Sequence, residues 1–166
     1  MTAPEERLRE ARLMAFAGRR DEALAEADAI LDEAPEHLGA LLLKADLLQQ
    51  SGAGEAAAVL YERAVDLAPG SAQAWSDHAR CLHALGRHEE ALPAAERAYA
   101  LLADPANAAH APAVYLTLIW CLREKRLFRE ALAAAEECLA RTPDAVVAEW
   151  AGQIEQELAE AERERC

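Results

Sequence analysis

Aromatic residues make up only 5% of this sequence, and glycine and proline occur seven times each among its 166 residues. What fills the apolar quota of 53% is mainly alanine and leucine, the strongest helix formers, so the composition argues for an all-α chain. Positive charge is also in deficit: the formal net charge is −13 and the isoelectric point about 4.8. A phosphate backbone or an anionic membrane surface would be repelled, which excludes nucleic acid and membrane as main partners. No stretch approaches the roughly 20 uncharged apolar residues of a membrane span, and the opening MTAPEERLRE has no apolar signal-peptide core. A cytoplasmic location is expected. Four cysteines (Cys81, Cys121, Cys138 and Cys166) show no CxxC pairing. In a reducing compartment they read as small core residues plus one terminal thiol, without a disulfide framework.

What the chain does have is a repeat. The segments GRRDEALAEADAILDEAP (18–35), GAGEAAAVLYERAVDLAP (52–69) and GRHEEALPAAERAYALLA (86–103) superpose Gly18, Gly52 and Gly86, then Ala23, Ala57 and Ala91, each 34 residues apart. A fourth copy, RLFREALAAAEECLARTP (126–143), places Ala131 40 residues after Ala91, which puts an inserted loop at 103–112. Each unit reads as a helix, a short glycine-centred turn, a second helix, and a proline that ends it.

This pattern resembles the tetratricopeptide repeat (TPR) family. Leu41, Ala45, Leu48, Gly52, Ala57, Tyr61, Ala64 and Pro69 fall on it in the second unit. Trp75, Ala79, Leu82, Gly86, Ala91, Ala95 and Ala98 do so in the third. The resemblance implies a right-handed α-solenoid of about four helical hairpins over residues 4–143, in units of about 4–35, 38–69, 72–103 and 112–143. A C-terminal capping helix is expected at 145–165, where Val146, Val147, Trp150, Ile154 and Leu158 form an amphipathic stripe.

Two departures carry structural expectations. Arg7 and Glu10 replace large apolar residues in the first helix, as a solvated end repeat would allow. Arg126 stands where the turn glycine is expected, so a reshaped turn is anticipated there. Pro93 lies early enough in its helix that one backbone hydrogen bond is lost.

The densest chemistry is DHARCLH, Asp77 to His83. On a helix, His78 and Cys81 lie about 60° apart, but His83 is about 140° from His78, so three ligands do not converge. No metal site and no cofactor are expected. No serine sits in a strand-turn-helix setting, and the glutamate pairs fall on helical surfaces, so the chain reads as non-enzymatic.

Recognition remains. In the family it resembles, the first helices line a concave groove where peptides commonly bind. On the third unit's first helix, Gln73, Ser76, Asp77, Arg80, His83 and Ala84 share an arc of about 120°. Carried through the repeat register, that arc nominates Arg12 and Phe16, then Leu42, Asp46 and Gln49, then Asp77, Arg80 and His83, and finally Leu116, Thr117, Trp120, Arg123 and Glu124. Trp120 either anchors a ligand or packs under the final helix beside Trp150. The recurrence of Arg12, Arg80 and Arg123 points to a partner segment with a carboxylate.

The expected function is that of a protein-interaction scaffold or adaptor for a peptide or helix of another protein. The alternatives are a small acidic chaperone of the bacterial tetratricopeptide type, shielding a hydrophobic client before secretion or assembly, and a self-associating subunit using Trp150, Ile154 and Leu158.

Overall fold

The structure, a computed structural model, describes residues 3–164; Cys166 and the last expected residue of the capping helix, Arg165, lie outside them. Among the described residues there is no strand. Nine α-helices follow one another: α1 (Pro4–Phe16), α2 (Arg20–Glu33), α3 (Leu38–Gln50), α4 (Gly54–Leu67), α5 (Ala72–Ala84), α6 (His88–Ala100), α7 (Ala111–Glu124), α8 (Phe128–Arg141) and α9 (Ala145–Arg163). The chain divides into two compact units, Met1–Gly70 and Ser71–Cys166. The architecture of the described residues is all-α.

In the first unit, α1 pairs with α2, α3 with α4, and α1 also touches α3. Alanine makes this close approach possible. Ala11, Ala23, Ala27 and Ala40 are fully buried and pack with Leu8, Ile30, Leu43 and Leu47, each small side chain letting a neighbouring helix come near. Gly39 takes this furthest: a Cβ built there would sit 2.4 Å from Leu8 Cδ2. Arg7 is not merely solvated, as the sequence led us to expect. It is 16% exposed and reaches Glu26 at 2.5 Å and Glu33 at 2.7 Å, tying α1 to α2.

In the second unit, α5 pairs with α6, α7 with α8, and α8 with α9. Its core joins Ala79, Leu82, Ala91 and Ala95 to Tyr115, Ile119, Ala131, Ala135, Cys138, Val147 and Ile154. Cys81, Cys121 and Cys138 are buried and form no disulfide with one another, and burial pushes the Cys121 thiol up to about 11. Ile154 is fully buried and Trp150 packs on the same core, so the stripe considered for self-association is largely used within the unit. Asp144 starts α9 by accepting from the amides of Val146 and Val147 at 2.8 and 3.1 Å.

The turn between α7 and α8 is not reshaped. Arg126 adopts φ +57°, in the same left-handed region as Gly18, Gly52 and Gly86 at +80°, +86° and +74°. The same two bonds close all four turns; here they run from Arg126 N to Arg123 O and from Leu127 N to Leu122 O, both 2.9 Å. The closure bonds hold the backbone there although arginine carries a Cβ, at a cost of about 1 kcal/mol.

The segment between α6 and α7 folds as two 3-10 turns, Leu101–Ala103 and Pro105–His110. Asn107 is buried at 7% exposure. Its Oδ1 accepts from the Ala72 amide at 3.1 Å, and its Nδ2 donates to the Leu101 carbonyl at 3.0 Å. One side chain thereby satisfies an orphan amide at the start of α5 and a carbonyl at the end of α6.

Candidate protein-interaction face

The first helix of each hairpin carries the nominated residues, and they fare differently. On α1, Arg12 is exposed and Phe16 is 95% exposed. On α3, Leu42 is buried at 4% and offers almost no surface. Asp46 and Gln49 are half-buried and accept from the Tyr61 hydroxyl at 2.5 and 3.4 Å. Tyr61 is fully buried, so these two acceptors satisfy a core hydroxyl that would otherwise be costly to bury.

In the second unit, the expected arc splits. Ser76 and Thr117 lie inside it by helical register, yet they are 3% and 5% exposed, with their hydroxyl oxygens 3.0 Å apart. Thr117 gives its one proton to the Ala113 carbonyl at 2.9 Å, which leaves Ser76 as the donor to Thr117. These residues join α5 to α7 and do not face a ligand. The helical wheel of a single segment could not show this, because burial there is set by the neighbouring helix.

Asp77 and Arg80 are half-buried, with an ion pair of 3.1 Å. Leu116 packs against the core. Arg123 makes a two-pronged bond to Glu157 of α9, at 2.5 and 3.2 Å.

His83 is largely covered, contrary to the groove-facing expectation: its side chain is 10% exposed. Its ring lies 4.3 Å from Trp120 at a 36° tilt and 4.9 Å from His88, edge to face. Burial, then the neighbouring His88, hold its pKa below the ordinary value, with Glu124 opposing. Glu124 lies 4.0 Å from His83 Nε2 and 3.8 Å from His88 Nε2. No group of three or more His, Cys, Asp or Glu side chains suited to a metal ion occurs among the described residues.

Trp120 lies close to the final helix without being covered by it. It remains 42% exposed and stands at the wall of a cleft of about 400 Å³ shared with α8 and the end of α9. Sequence reasoning did not place His88 beside His83 and Glu124, or Phe128 in the lining of the cleft. The signals were present: His83 and His88 flank the Gly86 turn, and Trp120 and Glu124 are four apart on one helical face.

Paired helices, left-handed turns on a 34-residue interval and buried alanines at their crossings set the frame for comparison with known proteins. Two family models described as tetratricopeptide repeat match residues 8–72 and 49–98. The chain belongs to the tetratricopeptide repeat family. No curated protein matches it. Among solved structures, the tetratricopeptide protein YrrB, described as having an unusual peptide-binding site, is 20% identical, with a TM-score of 0.69, covering 89% of this chain and 74% of YrrB. PilF of Pseudomonas aeruginosa is 16% identical with a TM-score of 0.84, covering 95% of this chain and 69% of PilF. An O-GlcNAc transferase mutant of Thermobaculum terrenum is 25% identical with a TM-score of 0.73; this chain covers 27% of its length. Tetratricopeptide proteins typically serve as interaction scaffolds rather than enzymes, and this chain shares their fold. No helix among the described residues is long and apolar enough to cross a membrane.

Proposed function

We propose that this tetratricopeptide chain is a non-enzymatic scaffold that holds a peptide or helix of a partner protein, with the α5 and α7 face of the second unit as the docking surface. The observation that carries this is Trp120. A large aromatic side chain left 42% exposed, propped from below by His83, is already in place for a ligand. Holding it costs the partner no ordering of the scaffold. Aromatic anchors of this kind dominate interface energetics. Three buried cysteines that are not joined in disulfides support a reducing, cytoplasmic setting.

Peptides selected from a random phage library on the folded chain provide the test, their affinities measured by fluorescence anisotropy. Trp120→Ala should weaken selected peptides by on the order of 2 kcal/mol with little change in melting temperature. Equal affinity for the variant and the parent would overturn the assignment of this face.

A further inference from the structure

The cleft beside Trp120 has a charge imbalance that the packing of hairpins does not require. Both arginines in its lining are engaged. Arg123 grips Glu157, and Arg126 reaches Glu164 at 3.4 Å while its guanidinium lies 6.0 Å over the Phe128 ring. Two further carboxylates of the lining, Glu124 and Glu160, have no arginine or lysine partner among the described residues. The groups facing Glu124 are the imidazoles of His83 on α5 and His88 on α6. Because burial favours the neutral ring of His83, it brings no compensating charge at neutral pH. Its Nε2 is turned toward Glu124, buried and without a hydrogen-bond partner.

Aromatic walls with spare carboxylates complement a cationic side chain, whose charge is attracted by the ring faces and hydrogen-bonded by the acids. Arg126 over Phe128 already displays half of that arrangement within the chain. A carboxylate-bearing partner, which the recurring arginines had pointed to, would meet Arg123 committed to Glu157 and Arg80 beside Asp77. The net charge of −13 would steer a basic partner inward and hold an acidic one off.

We propose that the cleft between α7, α8 and the end of α9 takes an arginine or lysine side chain from a basic segment of the partner protein. This rests on the docking reading above and adds the chemistry of what docks. The guanidinium or ammonium sits against Trp120, within reach of Glu124 and Glu160.

The test is fluorescence anisotropy on the full chain with two short dye-labelled peptides, one of alternating leucine and arginine and one with glutamate in place of arginine. The arginine peptide should bind and the glutamate peptide should not. Glu124→Gln and Glu160→Gln should each weaken binding by about threefold to tenfold. Glu136→Gln, exposed on α8 outside the cleft, should leave it unchanged. Uniform weakening by all three variants would show diffuse attraction to the net charge and overturn the proposal, as would preference for the glutamate peptide. Library-selected peptides that depend on Trp120 but not on Glu124 or Glu160 would leave the docking face standing and remove its basic ligand.

Discussion

The indole of Trp120 rests on the imidazole of His83, ring centroids 4.3 Å apart. These residues come from different hairpins of the second unit, so their contact joins the exposed face of one repeat to a largely covered side chain of the preceding one. Burial and the adjacent His88 hold the His83 pKa below its ordinary 6.5. For a base with a lowered folded-state pKa, the stabilising contribution is present above the unfolded value. It is lost as pH falls from about 6.5 toward the folded value. The melting temperature should therefore drop between pH 7.5 and 5.5. His83→Phe, which keeps an aromatic ring beneath Trp120, should flatten that dependence. Identical pH profiles for parent and variant would refute the role given to His83.

Two glycines should respond to alanine in opposite directions. At Gly39 a new Cβ would meet Leu8 Cδ2 at 2.4 Å, so the buried Leu8 side chain must leave its place in the core to admit it. Gly39→Ala should cost about 1–3 kcal/mol through overpacking. At Gly152, inside α9, a Cβ meets nothing within 4 Å. Gly152→Ala should stabilise by about 0.5–1 kcal/mol through helix propensity. Urea denaturation measures both.

Arg126→Gly should raise stability by up to about 1 kcal/mol, since it relieves a left-handed residue of its Cβ. The ion pair it sacrifices is highly exposed on both sides, at 68% and 71%, and contributes little. A lower melting temperature for this variant would show that the Phe128 stacking outweighs the backbone strain.

Tyr61→Phe removes a hydroxyl donor from Asp46 and Gln49 while keeping the buried ring. A loss of roughly 1–2 kcal/mol is expected by chemical denaturation. Asp46→Ala should cost at least as much, because it strips a buried hydroxyl of its main acceptor. Near-neutral behaviour of both would return Asp46 to the list of ligand contacts.

The repeat frame was legible from the sequence because it depends on local rules: glycine at a left-handed turn, alanine where helices cross, proline after a helix. Arg126 shows the limit of that reading. The Arg123 and Leu122 carbonyls bond the turn amides whether or not residue 126 is glycine, so hydrogen-bond closure overrides residue preference. The candidate face was only partly legible. Helical register assigned Ser76, Thr117 and Leu42 to the surface, yet Ser76 and Thr117 meet across α5 and α7 and Leu42 is buried. Trp120 stands apart in the sequence as a tryptophan on the groove register, but its 42% exposure depends on where α9, a helix outside the repeat, comes to lie.

Asn107 has an effect on cooperativity. Its side chain answers the Ala72 amide at the start of α5 from a position 35 residues later in the chain. That amide can exchange with solvent only when the segment between α6 and α7 lets go. The opening of either hairpin of the second unit is thereby coupled to the other, so α5 and α7 should lose hydrogen-exchange protection together and not one hairpin at a time.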